Sequence, residues 1–202
     1  IMDKICCIVN FEGFNFDNKF LVREFGWINI DTGKIGVNRF NLRPFSTGLT
    51  PKESSTIRFT ENKLHGLSFC PARGENTISL DLLDAKVTEV YEKCKSQDKC
   101  VVAYKGGGRT KRDILERLKI PFKNIEDFGC PKYTELVKYH VRDSCGFHQK
   151  NLPCSISQVC AYKAWLLDNM HELMKRKEFC PENCSSDEDW GDADEDDDSD
   201  VI

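Results

Sequence analysis

Apolar runs alternate with turn signals through the first 45 residues. Ile5-Cys6-Cys7-Ile8-Val9 is a short apolar run, Phe20 to Ile30 mixes β-branched and aromatic residues with polar ones, and Val37 to Leu42 follows a Thr32-Gly33-Lys34 turn. The pattern predicts an antiparallel meander whose first strand, apolar on both faces, is central. Pro44, Gly48 and Pro51 punctuate a loop reaching Ser55, and Thr56 to Gly74 reads as short mixed elements around His65-Gly66-Leu67. Between Ser79 and Lys95, Leu80, Leu83, Val87, Val90 and Tyr91 recur at helical spacing.

Cys100 to Tyr104 predicts a buried strand ended by Gly106-Gly107-Gly108, and Thr110 is a candidate cap for a helix running through Ile114, Leu115 and Leu118 towards Pro121. Asn124 to Phe128 predicts a short strand, Thr134 to Tyr139 a short helix, and Ser155 to Arg176 a long helix with Val159, Tyr162, Ala164 to Leu167 and Met170 on its apolar face. This order belongs to the α/β class: a mixed sheet, an antiparallel three-stranded meander plus parallel strands, with flanking helices.

Composition divides the chain in two. Of its 202 residues, 40% are hydrophobic, enough for one core, whereas the acidic low-complexity end cannot bury enough surface to offset its ordering entropy. The expected organisation is a domain over 1–180 and a disordered acidic tail over 181–202. Net charge is −4, but ten acids lie between Ser185 and Ile202; residues 1–184 carry 29 basic against 23 acidic side chains, a net +6. A basic body suits an anionic partner, and the tail suits a protein partner or a mimic of nucleic acid. No run is long and apolar enough for a membrane helix, and no signal peptide is evident, so an intracellular protein with no membrane partner is expected.

Eleven cysteines in such a chain favour metal ligation over a disulfide framework. Cys145-x-x-His148, with Cys154 after it and Cys130 before it, has the composition of a closed tetrahedral Cys3His zinc site, structural in role because no position stays open for water. Buried free cysteine as a small hydrophobe is the competing explanation, and His140 is an alternative imidazole. A second feature is Lys105-Gly-Gly-Gly-Arg109-Thr-Lys111-Arg112. Bare glycines and a helix N-terminus among four cations suit a phosphate, so Lys105, Gly107, Arg109, Lys111 and Arg112 are the candidate nucleic-acid contacts; a solvated turn is the alternative. Unpaired bases could stack on Tyr139 or Phe147.

Several segments together resemble the DEDD exonucleases of the ribonuclease H-like fold: Ile8-Val9-Asn10-Phe11-Glu12-Gly13 at the first-strand Asp-x-Glu motif, Val22-Arg23-Glu24-Phe25-Gly26 at the second strand, and Leu64-His65-Gly66-Leu67 after the third. The resemblance covers about residues 5 to 175. It implies four carboxylates around two divalent ions. Here Asn10 stands at the first Asp position and Glu12 is retained. The second Asp position falls near Thr110 or Lys111, and the last near Gln158. No Mg or Mn pair and no ordinary catalysis are therefore expected, Glu12 and Asp113 being the residual candidates for a rebuilt site. The combination of lost carboxylates with a zinc site is similar in kind to the Maelstrom domain and to domains of arthropod, mobile-element or viral proteins. That resemblance implies a pseudo-exonuclease that binds single-stranded RNA. An active nuclease with a displaced site and a protein-interaction scaffold are the alternatives.

Overall fold

The structure, a computed structural model, describes residues 2–17, 19–106, 108–140, 146–149 and 152–178. Ten principal elements follow in chain order: β1 (Ile5–Phe16), β2 (Lys19–Asn29), β3 (Ile35–Asn41), α1 (Pro51–Lys63), β4 (Ile78–Ser79), α2 (Leu83–Cys94), β5 (Val101–Tyr104), α3 (Arg109–Arg117), β6 (Phe122–Asn124) and α4 (Ser155–Glu178). The strands form one mixed sheet in the order β4-β3-β2-β1-β5-β6. β1, β2 and β3 pair antiparallel; β5 runs parallel to β1, and β6 parallel to β5. The central first strand and the α/β class agree with the hydrophobic pattern.

Along β1, Cys7, Val9 and Phe11 enter the core under α2 and α3, which supply Val87, Val90, Ile114 and Leu115. Ile8 enters the opposite core with Ala103 and the α4 residues Val159, Tyr162, Trp165 and Leu166. This is the two-residue period of a strand covered on both faces. A third cluster, Phe14, Leu21, Leu42 and Phe69, lies under Ile57 of α1. Each large side chain buried in these layers contributes about 1.5–3 kcal/mol of transfer free energy.

Several local expectations are corrected. α1 occupies a segment expected to be loop followed by short mixed elements. Its start is a reciprocal capping box: Thr50 Oγ1 accepts from the Glu53 N–H at 3.2 Å, Glu53 Oε2 accepts from the Thr50 N–H at 2.8 Å, and Pro51 opens the first turn. The Thr-x-x-Glu signature was present in the sequence, but only Ile57 and Thr60 of this helix are buried, so it has little apolar periodicity. Asn124–Phe128 is mainly a 3-10 turn after a shorter strand, and Tyr133–Tyr139 is two 3-10 turns. Gly108, not Thr110, precedes the first residue of α3. Among the described residues no helix is long and apolar enough to cross a membrane.

Gly26 sets how closely α4 can approach the sheet. A Cβ there would lie 2.5 Å from the Ser155 Cβ and 3.0 Å from its carbonyl carbon, inside van der Waals contact. Gly26→Ala is expected to push the first turn of α4 outward and to lower the unfolding free energy by about 1–3 kcal/mol in urea denaturation; an unchanged midpoint and slope would contradict this packing.

Candidate functional site

The hairpin register places two carboxylates side by side. Glu12 of β1 is the cross-strand partner of Glu24 of β2, immediately before a bulge that leaves Arg23 without a partner in the register. Both carboxylates meet the first two turns of α4: Glu24 Oε1 accepts from the Ser155 N–H at 3.1 Å, and Glu12 Oε1 accepts from Gln158 Nε2 at 2.6 Å. Like charges directly opposite on a sheet destabilise it, so each needs its own counter-groups.

Around Glu12 the counter-groups are amides and one ammonium. Asn10, fully buried, donates through Nδ2 to Glu12 Oε1 at 2.9 Å and accepts at Oδ1 from Lys111 Nζ at 2.7 Å. The same ammonium donates to the Lys105 carbonyl at 2.9 Å. Tyr162 Oη donates to Gln158 Oε1 at 3.1 Å, which orients the Gln158 amide with its NH2 towards Glu12. Burial pushes the Lys111 pKa below its ordinary value, against the opposing pull of Glu12 and Glu126. Of the positions marked by the exonuclease resemblance, Asn10, Glu12, Gln158 and Lys111, the alternative to Thr110, form one hydrogen-bonded chain containing a single carboxylate. Hard divalent ions need several anionic oxygens. Here a lysine cation already occupies the neighbourhood of the one available.

Around Glu24 the chemistry differs. Its side chain is fully buried, and Oε2 accepts from Arg39 Nε at 2.9 Å. His148 Nε2 lies 3.1 and 3.2 Å from the two carboxylate oxygens, while His148 Nδ1 contacts the His65 carbonyl oxygen. Burial alone would raise the Glu24 pKa, but the His148 hydrogen bond and charge, Arg39 and the Ser155 N–H outweigh it and hold it at about 2. Burial likewise disfavours the His148 cation, yet Glu24 and the His65 carbonyl raise its pKa overall. A neutral ring donating through Nδ1 would turn its Nε2 lone pair on a carboxylate, so this contact requires a second ring proton or a cation between the two groups. His65 itself is held from both sides: its Nδ1 accepts from the Leu67 N–H at 3.1 Å, leaving Nε2–H to donate to the Gly13 carbonyl at 3.2 Å. Arg39 also faces Glu75 at 3.9 Å, and Glu75 takes both 2.7 Å bonds from the fully buried Arg23. The Arg39 guanidinium covers the Phe147 ring at 4.2 Å.

The other candidates are dispersed. Lys105 is buried, its ammonium 2.6 Å from Glu126, so both Lys105 and Lys111 point at internal acceptors and not at solvent. Arg109 and Arg112 are exposed, Arg112 pairing with Glu116 at 2.6 Å; Gly107 lies outside the described residues. Asp113 is exposed on α3 and lines a surface groove with Lys19, Thr110 and Arg117, apart from the Glu12 chain. Cys130 sits in the core with Ala103, Ile125 and Leu136, where burial pushes its thiol up to about 12. Cys154 is buried at the start of α4 and its sulfur accepts from the Ser157 N–H at 3.4 Å. Cys145 lies outside the described residues. Among the described residues no group of three or more His, Cys, Asp or Glu side chains is arranged to hold a metal.

The sequence alone reads Glu24 as a strand-edge or ion-pair residue and not a ligand, and the structure has it paired with Arg39, whereas the roles of Arg23 and Arg39 escaped the sequence reading. The available signal was an Arg-Glu pair inside an otherwise apolar strand, Leu21-Val22-Arg23-Glu24-Phe25, since charges at such positions are rarely buried unless paired. No family model, curated protein or solved structure matches the chain.

Removing the lysine should expose how the Glu12 chain is balanced. Lys111→Met is expected to lower the unfolding free energy by about 3 kcal/mol, because it leaves the Asn10 Oδ1 and Lys105 carbonyl acceptors without their donor and removes the cation nearest Glu12. Adding Glu12→Gln should recover part of that loss in a double-mutant cycle; strictly additive losses would show that the ammonium and Glu12 are not coupled.

Proposed function

We propose that this chain is a ribonuclease H-like pseudo-exonuclease domain that binds single-stranded nucleic acid without cutting it. The supporting topology is a central β1 with an antiparallel meander on one side and parallel β5 and β6 on the other. The observation that carries the proposal is the Lys111 ammonium bonded to Asn10, next in the chain of hydrogen bonds to Glu12 and Gln158. In the resembling nucleases these positions gather carboxylates for two metal ions. One fixed monovalent cation balances Glu12 here, and it has no exchangeable position at which to activate water. The preference for RNA over DNA is taken from the Maelstrom-like resemblance. The binding surface on this reading is the basic first turn of α3, where Arg109 and Arg112 are exposed.

A structural zinc belongs to the same proposal, with its ligand set revised from the Cys3His combination. Glu24 replaces Cys130, alongside His148, Cys154 and Cys145, which is the Glu-His-Cys-Cys combination that the Maelstrom resemblance implies. The residues fit at the one edge that can be measured: tetrahedral bonds of about 2.0–2.1 Å separate ligand atoms by about 3.3 Å, against 3.1 and 3.2 Å between His148 Nε2 and the Glu24 oxygens. His148 also has the second contact typical of metal-bound imidazole, its other nitrogen facing a backbone carbonyl. Zinc with two thiolates, Glu24, Glu75, Arg23 and Arg39 sums to zero charge, which suits a buried cluster.

Two experiments test these readings. Labelled single-stranded RNA incubated with the protein and Mg²⁺ or Mn²⁺ should bind and stay intact. Arg109→Glu with Arg112→Glu should weaken binding and reduce the slope of log affinity against log salt by about 2. Cleavage abolished by Glu12→Ala would establish an active nuclease, and absence of RNA binding would favour a protein scaffold. Metal analysis should find one zinc per chain, lost in Glu24→Gln and Cys145→Ser but kept in Cys130→Ser; loss on Cys130→Ser alone would restore the Cys3His set.

A further inference from the structure

At the edge of the sheet, one stretch of β3 has a neighbouring strand on one side only. β4 pairs with β3 at Phe40 and Asn41, and among the described residues no strand lies beside residues 35–38 on that side. The register with β2 runs unbroken from Glu24 opposite Arg39 to Ile28 opposite Ile35, and at the turn the Asn29 N–H donates to the Lys34 carbonyl at 2.8 Å. Hydrogen-bonded and non-bonded pairs alternate in an antiparallel ladder, so the bonded pairs that follow are Trp27 with Gly36 and Phe25 with Asn38. Ile35 and Val37 therefore turn their N–H and C=O groups away from β2, towards the open edge. Natural edges are blunted by a charge, a proline, a bulge or a covering segment. Ile35-Gly36-Val37-Asn38 has none of the first three, and each of its residues is exposed or half-buried.

The side chains beside this edge divide by face. Arg39 shares the α4 side with Glu24, and the two-residue period puts Val37 and Ile35 on that side as an apolar strip, with Ile35 45% exposed. Gly36 and Asn38 share the α2 side with Phe40, which is buried against Val87 and Val90. Because Gly36 has no side chain, the Trp27 ring lies across it; a Cβ there would be 2.5 Å from the indole. The indole, Gly36 and Asn38 line a groove of about 200 Å³ whose other wall is Lys86, Glu89 and Lys93 of α2. Both lysines bond to Glu89, which leaves that wall one net positive charge. Exposed Lys34 adds another at the head of the strand.

We propose that the β3 edge at residues 35–38 accepts an extended acidic segment of a partner protein by strand addition. The partner's main chain pairs with the outward N–H and C=O groups of Ile35 and Val37, in the place that β4 leaves unfilled. Its side chains alternate between the two faces. Acidic ones lie over the groove, where Lys86 and Lys93 attract them, and apolar ones lie beside Ile35 and Val37. Main-chain bonds supply the attachment, and the positive groove selects the acidic sequence. The surface uses no residue of α3, so it stands independently of the nucleic-acid reading.

The test adds a capped octapeptide of alternating aspartate and valine to the full chain and follows amide hydrogen exchange by NMR. Exchange at Ile35 and Val37 should slow by about tenfold or more, while Gly36 and Asn38, already bonded to β2, change little. N-methylating the peptide's valines, and separately its aspartates, removes alternate donors. One of the two sets should lose about tenfold in affinity and the other should bind nearly as before. Lys86→Gln with Lys93→Gln should weaken binding about fivefold. The exchange and methylation measurements use the unmodified protein, so no variant has to fold for them to decide. Absence of binding, equal affinity of the two methylated peptides, or binding that leaves Ile35 and Val37 unprotected would overturn the proposal. So would protection of those two amides that grows with protein concentration in the absence of peptide, which would assign the edge to a second copy of this chain.

Discussion

The β1–β2 register that sets Glu12 beside Glu24 is the constraint on which the rest of the α4 face depends. Two carboxylates on neighbouring strands repel, and their interaction strengthens as helix packing removes water. The fold separates their neutralisation. Glu12 is served by Asn10, Gln158 and, through Asn10, Lys111; Glu24 is served by Arg39, His148 and the Ser155 N–H. α4 contributes to both, its opening residue to one carboxylate and a residue one turn later to the other. The bulge after Glu12, the close approach at Gly26 and the placement of α4 are therefore parts of one electrostatic solution.

That solution has a chemical consequence. Paired divalent ions in a carboxylate cleft supply exchangeable positions and strong polarisation of bound water. An ammonium supplies one charge and three hydrogens, and Lys111 directs two of these to Asn10 and to the Lys105 carbonyl. Lys105 is itself held by Glu126, which fixes the backbone carbonyl that Lys111 uses. The bonds that hold this cluster together commit Lys111 and Glu12 to partners within the protein. The Glu24 cluster keeps the opposite character: an anion faces an imidazole nitrogen, and the pair needs a cation or a proton between them.

Much of this was legible in residue order. The apolar run at Ile5 to Val9 identified a doubly covered central strand, and the spacing of Val159, Tyr162 and Leu166 identified α4, because burial on a sheet leaves a period in the sequence. Asn10, Glu12, Gln158 and either Thr110 or Lys111 were marked as a set by the resemblance to the DEDD exonucleases. α1 was missed because a helix with two buried residues leaves almost no period, and the 3-10 turns at 125–128 because their composition is that of a short strand.

The sequence by itself determined the class of fold and the central strand, since these follow from local periodicity. Tertiary structure alone decided where the charges point. Lys105 and Lys111 look like solvent-facing phosphate ligands in a glycine-rich basic loop, yet both turn inward. Glu24 reads as a strand-edge or ion-pair residue, and it is the second: fully buried, paired with Arg39 and facing His148. The reason is physical: a buried charge is stabilised by partners far away in the chain, Lys111 by Asn10 and Glu24 by His148, and no local pattern encodes a distance that only packing creates.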